Sequence, residues 1–246
     1  MKFALIGFGK MGQTIKRLAE AGGDTIGLVI DWNNKAELTS ENLRNVDVAI
    51  EFTQPSTAFE NVRTCLEAGI PVVSGTTGWL DKLPTAREIC ESSKGAFFYA
   101  SNYSIGVNIF FAINKYLSSL MATQMDYKAS VEEIHHLQKI DHPSGTAITI
   151  AEGVFEKVKY LHDWKAFLKT ADTLEIPTVP GVLPIISKRE ANVPGTHTVT
   201  WQSEIDTIQI SHVAHSREGF ATGAIAAAKW LVGKQGCFGM NDMLGF

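Results

Sequence analysis

The first twenty residues restrict the fold of this chain more than any other segment does. A short apolar run at residues 3–6 is followed by a glycine-rich hexapeptide and then by apolar residues at helical spacing. The hexapeptide matches the pattern G-x-G-x-x-G and reads Gly7-Phe8-Gly9-Lys10-Met11-Gly12. Between a strand and a helix, the first glycine permits a tight turn, the second lets a pyrophosphate approach the backbone, and the third allows close packing of the helix. The segment therefore predicts a dinucleotide-binding βαβ unit.

The alternation of strand and helix continues through the first hundred residues. Amphipathic helices are predicted at residues 11–21, 55–69 and 80–90, and they separate short apolar strands at 3–6, 25–31, 46–52, 71–74 and 96–100. Such alternation is typical of parallel strands joined by helical crossovers. We therefore predict an α/β fold with a doubly wound parallel sheet of the Rossmann type.

The pattern changes after residue 102. A long apolar helix at 105–121, an alternating strand at 128–135 and a helix at 146–159 come first. They are followed by strand-like runs at 184–187, 196–201 and 205–210. Strands without intervening helices favour an antiparallel or mixed sheet, and thus a second domain of the α+β class. An alanine-rich helix is predicted at 220–232, and the irregular stretch 160–180 is interpreted as helix plus loop.

Composition excludes several classes of protein. The formal net charge is -4 and the pI about 6.0, so the chain lacks the basic excess expected of a nucleic-acid-binding protein. Three widely spaced cysteines, Cys65, Cys90 and Cys237, suit neither a disulfide framework nor a zinc site. No segment has the roughly 20 apolar residues of a membrane span, and the N-terminal apolar run is too short for a signal peptide. We expect a cytoplasmic protein that binds neither nucleic acid nor membrane.

Further residues for a dinucleotide follow the predicted strands. Asp31 ends the second strand, where such sites place an acid on the ribose hydroxyls, and its charge disfavours a 2′-phosphate. This favours NADH, although Lys10 and Lys35 leave NADPH open. The loops after the fourth and fifth strands lie where a parallel sheet binds ligands, although plain turn chemistry is an equal alternative for each. These loops are Gly75-Thr76-Thr77 and Ala100-Ser101-Asn102-Tyr103.

The densest group of reactive side chains lies in residues 133–147, which read E-I-H-H-L-Q-K-I-D-H-P-S-G-T-A. Histidine can act as a general acid near neutral pH, and lysine carries a compact positive charge. The S-G-T triplet offers hydroxyl and amide groups at a predicted helix start, where a carboxylate is favourably bound. No metal is expected, because adjacent histidines on a strand point to opposite faces and no acidic or cysteine ligand is placed to complete a site.

This segment resembles the E-x-H-H-x-x-K-x-D-x-P-S-G-T-A signature of the 4-hydroxy-tetrahydrodipicolinate reductase family. The glycine hexapeptide and the segments 51–53, 75–78 and 102–108 follow the order and approximate spacing of the same family. His142 departs from the family pattern, which often has a small residue there. The resemblance implies a Rossmann domain at residues 1–103 that the C-terminal segment 217–246 completes, a substrate and oligomerisation domain at 104–216, and a homotetramer.

The resemblance also implies a reaction and a role for each matched residue. The chain would reduce a small dicarboxylate imine with NADH or NADPH on the lysine and diaminopimelate pathway. His135 would be the general acid and Lys139 would assist protonation. The substrate carboxylates would be bound by His136, Ser144, Gly145 and Thr146. The dinucleotide would be held by Gly7, Phe8, Gly9, Lys10, Met11, Gly12, Asp31, Gly75, Thr76, Thr77, Ala100, Ser101, Asn102 and Tyr103.

Other readings stay open from the residues alone. Another small-molecule dehydrogenase of the same fold, such as one acting on aspartate, and a non-catalytic NADH sensor both fit the glycine motif. His135 could be a structural residue. Glu132 and Glu133 could form ion pairs with basic side chains on a solvated face. The remaining histidines, His162, His197, His212 and His215, are interpreted as structural, and Arg217 as a surface residue.

Overall fold

The computed structural model describes residues 1–168 and 179–246. The described chain divides into two units by its internal contacts: unit 1 comprises Met1–Asn108 with Glu218–Phe246, and unit 2 comprises Ile109–Arg217. None of the helices within these residues is both long and apolar enough to cross a membrane.

The elements follow one another as the sequence pattern indicates, with a few additions. From the N-terminus they are β1 (Lys2–Ile6), α1 (Lys10–Ala21), β2 (Thr25–Ile30), α2 (Ser40–Leu43), β3 (Val48–Glu51), α3 (Pro55–Glu67), β4 (Val72–Ser74), α4 (Leu83–Ser92), β5 (Ala96–Tyr99) and α5 (Ile105–Met121). They continue with β6 (Lys128–His135), α6 (Gly145–Lys157), β7 (Asp163–Leu168), β8 (Val182–Arg189), β9 (Gly195–Gln202), β10 (Thr207–Ala214), α7 (Glu218–Leu231), β11 (Gly236–Phe238) and α8 (Met240–Leu244).

Unit 1 is a six-stranded parallel sheet in the order β11-β5-β4-β3-β1-β2. The central strands are buried along their whole length, as apolar runs covered on both faces must be. Helices α1 and α7 contribute to the hydrophobic core on one face, and α3 and α4 contribute to the core on the other. The doubly wound Rossmann-type sheet is thus confirmed.

Helix α7 packs unusually close to the chain that follows β5. A Cβ atom on Gly223 would overlap the carbonyl oxygen of Tyr103, so only glycine allows this approach. Small residues fill the rest of the buried face of α7, among them Ala221, Ala224 and Ala228. The alanine-rich C-terminal sequence therefore serves close packing within unit 1.

Unit 2 contains a mixed five-stranded sheet in the order β10-β9-β6-β8-β7. Strand β6 runs parallel to β8 and antiparallel to β9. Helices α5 and α6 share one hydrophobic core with alternate residues of the sheet, such as Val131, Ile185 and Val199. A second α+β architecture with a mixed sheet is therefore confirmed.

Some sequence interpretations were wrong in detail. Asp163–Leu168 forms strand β7, which pairs in parallel with β8, instead of the helix or loop expected for 160–180; residues 169–178 of that stretch lie outside the described residues. The short elements α2, β11 and α8 were not predicted, because three to five residues carry too little periodicity to be read.

Candidate active site

The glycine hexapeptide forms the turn between β1 and α1. Gly7 has φ of 95°, and a Cβ atom there would overlap the backbone oxygen of Phe52. A Cβ atom on Gly12 would overlap the carbonyl oxygen of Gly7, where α1 crosses the strand. The first and third glycines are thus required by packing within the chain. Phe8 and Met11 are half-buried against the same core, and Lys10 is exposed at the start of α1.

Gly9 differs from the other two glycines. It is the N-cap of α1, its φ is -72°, and a Cβ atom there would meet no atom within 4 Å. Packing within the described chain therefore does not require glycine at this position. Open space beside an N-cap that makes no side-chain capping hydrogen bond suits a pyrophosphate that approaches the backbone amides. The residues present fit a dinucleotide.

Asp31 directly follows β2, as predicted. Its carboxylate accepts a hydrogen bond from the N–H of Trp32 at 2.9 Å, and its own N–H donates to Oδ1 of Asn34 at 2.7 Å. These bonds fix the turn after the strand and leave the side chain half-exposed. Lys35 is exposed one turn later.

A buried carboxylate joins the loops after β3 and β4. Glu51 is fully buried and accepts hydrogen bonds from the hydroxyl of Ser74 at 2.6 Å, the hydroxyl of Thr76 at 2.8 Å and the N–H of Thr53 at 3.0 Å. The hydroxyl of Thr76 in turn accepts from the N–H of Thr53 at 2.8 Å. The side chain of Thr76 is therefore engaged within the protein, whereas that of Thr77 is exposed.

The remaining predicted dinucleotide residues lie at the ends of neighbouring strands. Gly75 follows β4, and a Cβ atom there would overlap the ring of Phe52. After β5, Ser101 is exposed and Ala100 is buried. Asn102 accepts from the N–H of Ser104 at 2.9 Å. Tyr103 is buried in the core and its hydroxyl donates to the carbonyl of Ser74 at 2.7 Å, so its side chain packs and braces the sheet.

The register of the second sheet brings together a second group of predicted site residues, within unit 2. Glu133 lies opposite Ser187 on β8 and opposite His197 on β9. His135 lies two residues further along β6, and therefore on the same face as Glu133. All four side chains are buried. Ser144, the N-cap residue of α6, is also buried and joins them. A polar cluster thus occupies the end of an otherwise apolar face.

Glu133 is the centre of this cluster. Its carboxylate accepts from the N–H of Ser144 at 3.1 Å and from the hydroxyl of Ser187 at 2.7 Å. Its Oε2 lies 3.6 Å from Nδ1 of His135 and 3.7 Å from Nε2 of His197. Burial opposes its ionisation, but the nearby ring of His197 and the hydrogen bonds from Ser144 and Ser187 outweigh burial and lower the pKa of Glu133 to about 2. The carboxylate is therefore charged at neutral pH.

His135 is neutral at the same pH. Burial lowers the pKa of His135 to about 4, against the raising effect of Glu133, and His197, Lys139 and Arg189 lower it further by their charge. The ring of His197 lies 5.1 Å from that of His135 in an edge-to-face arrangement. Nδ1 of His135 is buried and makes no hydrogen bond in the described structure.

His136 points away from His135, as expected of neighbours on a strand. Its Nε2 lies 2.8 Å from Nη2 of Arg217. Because a guanidinium only donates, this contact makes Nε2 the acceptor and places the ring proton on Nδ1. The interpretation of Arg217 as a plain surface residue was therefore incomplete: it is exposed, but it fixes the tautomer of a predicted substrate-binding histidine.

Lys139 lies partly buried in the loop between β6 and α6. Nζ of Lys139 lies 2.9 and 2.8 Å from the two carboxylate oxygens of Asp141. Arg189 on β8 donates to the carbonyl of Lys139 at 3.1 Å and to the carbonyl of Asp141 at 2.9 Å. These bonds fix the loop backbone, while the exposed ion pair is weak enough to exchange partners. His142 is exposed in the same loop.

The S-G-T triplet begins α6. Ser144 is the N-cap: its hydroxyl accepts from the N–H of Ala147 at 3.2 Å and lies 3.2 Å from Nε2 of His197. The amide and the hydroxyl of Ser144 both make hydrogen bonds within the protein. Neither group is therefore free for the predicted contact with a substrate carboxylate. Gly145 and Thr146 occupy the first turn, where helix amides have no intrahelical acceptor.

Sequence reasoning missed three members of the cluster, Glu133, Ser187 and His197. His197 was interpreted as one of several scattered structural histidines, and for Glu133 only an ion pair with a basic side chain on a solvated face was considered. Glu132 does pair with Lys188 at 2.7 Å, but Glu133 is fully buried. The alternation of β9 carries a usable signal, since His197 is a polar residue on the face that Val199 and Trp201 share.

The argument against a metal also changes. Glu133, His135 and His197 offer donor atoms within 4.8 Å of one another, so an acidic group is placed beside two histidines after all. Both carboxylate oxygens already accept hydrogen bonds from the protein. The absence of a metal stays a prediction, and metal analysis of the purified protein would test it.

Comparison with known proteins places the whole chain in one family. Residues 1–103 match the family described as "Dihydrodipicolinate reductase, N-terminus", and residues 106–244 match the corresponding C-terminus. A 4-hydroxy-tetrahydrodipicolinate reductase of Christiangramia forsetii is 50% identical over 244 residues, which cover 99% of this chain and 98% of the relative. The reductase of Archaeoglobus fulgidus is 33% identical, with 96% of each chain covered.

A solved structure supports the fold. A dipicolinate-bound dihydrodipicolinate reductase from Paenisporosarcina sp. TG-14 superposes with a TM-score of 0.76, covers 98% of each chain and is 24% identical. At this identity the similarity concerns the fold alone. Both the parallel sheet of unit 1 and the mixed sheet of unit 2 are included in the covered length.

Proposed function

Because this chain belongs to the dihydrodipicolinate reductase family, we propose that it reduces 4-hydroxy-tetrahydrodipicolinate to tetrahydrodipicolinate with NADH or NADPH, in lysine biosynthesis through diaminopimelate. The overall change removes one water from the substrate and adds one hydride and one proton. The observation that carries the proposal is the cluster of proton-transfer and anion-binding groups in residues 133–147, in a chain that is 50% identical to such a reductase over its whole length.

Unit 1 carries the residues for the dinucleotide. The open backbone at Gly9 and the first turn of α1 would bind the pyrophosphate, and Asp31 would bind the ribose hydroxyls. The loops that Glu51 holds together, with Thr76 and Thr77, would hold the nicotinamide end. When bound, the reduced cofactor supplies the hydride. The charge of Asp31 favours NADH over NADPH, since it repels a 2′-phosphate.

Unit 2 carries the residues for the substrate and the proton. The first-turn amides of Gly145 and Thr146, with the ring of His136, would bind the carboxylates. Lys139 would exchange its partner Asp141 for the substrate and so offset negative charge. Two substrate carboxylates favour a protonated imidazole, and His135 would therefore take up its proton as the substrate binds.

The test is a steady-state assay of NADH and NADPH oxidation with enzymatically generated substrate. Replacing His135 or Lys139 by Ala should lower turnover on the order of a hundredfold, as expected for a lost proton donor or its partner. His142→Gln, in the same loop but exposed, is the matched control and should keep activity near the original level. Normal turnover of a folded His135→Ala variant would contradict the assignment.

The same assay separates the alternatives. Pyridine-2,6-dicarboxylate should compete with the substrate, because its two carboxylates match the groups that unit 2 offers. Oxidation of aspartate in preference to reduction of the cyclic imine would indicate the related dehydrogenase activity instead. Dinucleotide binding without oxidation in the presence of any imine would identify a sensor.

We further propose that the protein acts in the cytoplasm as a homotetramer. The absence of disulfide-type cysteine spacing supports the compartment. Strand β10 is an edge strand of the second sheet among the described residues, and its exposed residues support assembly.

A further inference from the structure

Glu133 contacts both the helix start that is proposed to bind the substrate and the histidine that is proposed to donate the proton. Through its contact with the N–H of Ser144, the carboxylate fixes the residue that caps α6, and so fixes the amides of Gly145 and Thr146. Through Oε2 it faces Nδ1 of His135 at 3.6 Å. One buried side chain thus lies behind both the substrate-binding turn and the proton donor.

We propose that Glu133 is a positioning residue that holds the α6 turn in place and orients the imidazole of His135 so that Nε2, and not Nδ1, gives up the catalytic proton. The proposal rests on the reductase function proposed above. Glu133 itself does not touch the substrate, because it is fully buried behind Ser144 and His135.

The hydrogen-bond pattern supports a fixed direction for this contact. Nδ1 of His135 is buried and otherwise without a partner, and the closest acceptor recorded for it is a carboxylate oxygen. At 3.6 Å the contact is too long for a hydrogen bond in the neutral ring. A positive imidazolium would be drawn toward the carboxylate and would form a charge-assisted bond. The gap can therefore close when His135 becomes protonated.

The proton would therefore be transferred from Nε2, on the edge of the His135 ring opposite Nδ1. Nε2 of His135 lies over Gly195, at 3.2 Å from the position where a Cβ atom would stand. In the transfer step the Nε2–H bond breaks, the proton bonds to the substrate carbon that has become electron-rich, and the electron pair stays on Nε2. The neutral ring that results keeps its remaining proton on Nδ1, facing Glu133.

The charges around His135 support Glu133 as the group that promotes its protonation. Lys139 from the loop, Arg189 from β8 and His197 from β9 all disfavour a protonated His135, and Glu133 from its own strand is the group that favours it. Substitution of Glu133 by an uncharged residue would leave only opposing groups. Protonation of His135 would then require a lower pH.

The decisive variant is Glu133→Gln, which keeps the size of the side chain and removes the charge. Turnover should fall about 10- to 100-fold, and the alkaline limb of the kcat profile should move down by about one pH unit. The Kd for pyridine-2,6-dicarboxylate should rise about tenfold, while the Kd for NADH stays unchanged because it depends on unit 1. An unchanged pH profile would mean that Glu133 is only structural and would overturn the proposal.

Glu132→Gln is the matched control. It removes the same charge from the neighbouring residue of β6, but Glu132 lies on the opposite face of the strand and pairs with Nζ of Lys188 at 2.7 Å. We expect less than a threefold change in turnover and no shift of the pH profile. A shift as large as that of Glu133→Gln would overturn the proposal, since loss of any negative charge on β6 would then explain both variants.

A measurement on the unmodified protein covers the case in which Glu133→Gln does not fold. Nitrogen NMR of the histidine rings in the full chain at pH 7 should find neutral His135 with its proton on Nδ1. A proton on Nε2 would overturn the proposal. This readout needs no turnover, so an inactive protein would contradict the proposed function without deciding the role of Glu133.

Discussion

Gly195 leaves room for the ring of His135, the residue proposed above as the proton donor. A methyl group at this position would stand 3.2 Å from Nε2 and 3.4 Å from Cδ2 of His135, and 3.9 Å from Cε1 of His197. The 3.2 Å contact is tighter than most, so the ring of His135 would have to move by a few tenths of an ångström. Both rings are buried, so neither can give way without disturbing the cluster.

Gly195→Ala should therefore lower turnover roughly tenfold by displacing the ring of His135, the proposed proton donor, because small misplacements of a catalytic group are costly. NADH affinity, measured by fluorescence titration, should stay unchanged. Gly219→Ala is the control: the closest atom to its added methyl group would be Oγ of Ser104, at an ordinary 3.7 Å. Equal turnover in the two variants would show that the position of the His135 ring is not limiting.

Strand β10 is an element whose sequence lacks the usual protection of a sheet edge. Edge strands are normally shortened or carry charges or proline that prevent pairing with other chains. This strand has eight residues, T-I-Q-I-S-H-V-A, with no Asp, Glu, Lys, Arg or Pro. Ile208 and Val213 are exposed on it. Such an edge is suited to an interface between copies of the chain.

Ile208→Lys should therefore dissociate the proposed tetramer at micromolar concentration, because it places a charge in an apolar interface. Light scattering coupled to size-exclusion chromatography measures the mass directly. Leu80→Lys provides the comparison, since Leu80 is also exposed and apolar but lies in unit 1. A monomeric unmodified protein would rule out the tetramer, and a tetrameric Ile208→Lys variant would place the interface elsewhere.

At the scale of the whole molecule, the buried cluster makes stability depend on pH. The pKa of His135 is about 4 in the folded protein, below its ordinary 6.5, so protons bind the unfolded state more tightly. Its contribution is complete above pH 6.5 and is lost as the pH falls toward 4. The pKa of Glu133 is about 2, below its ordinary 4.5, so its contribution is lost between pH 4.5 and 2.

Calorimetric unfolding should therefore show stability falling by roughly 2–3 kcal/mol between pH 6.5 and 4 on account of His135. His135→Gln should flatten this part of the profile. Some slope should remain, because burial also lowers the pKa of His212. A variant with the same slope as the unmodified protein would show that His135 is not the group that titrates.

Local sequence was sufficient for most of the fold. Glycine spacing, apolar runs and helical periodicity predicted strands β1 to β5 and the longer helices of unit 1, and α5 and β6 were predicted with the bounds that the structure gives them. Ser144 was also readable as a helix start, since serine before an apolar helix is a common N-cap. Strand β7 was missed because its six residues do not alternate cleanly between apolar and polar.

The sequence by itself determined which chemistry the chain carries: a glycine turn for a dinucleotide, and a segment with histidine, lysine and helix-start amides. Only the tertiary structure decided which of those groups act together. Strand register brings Glu133 beside Ser187 and His197, residues 54 and 64 positions away in the chain. Pairing between distant strands depends on the packing of the whole sheet, and no local pattern of residues encodes it.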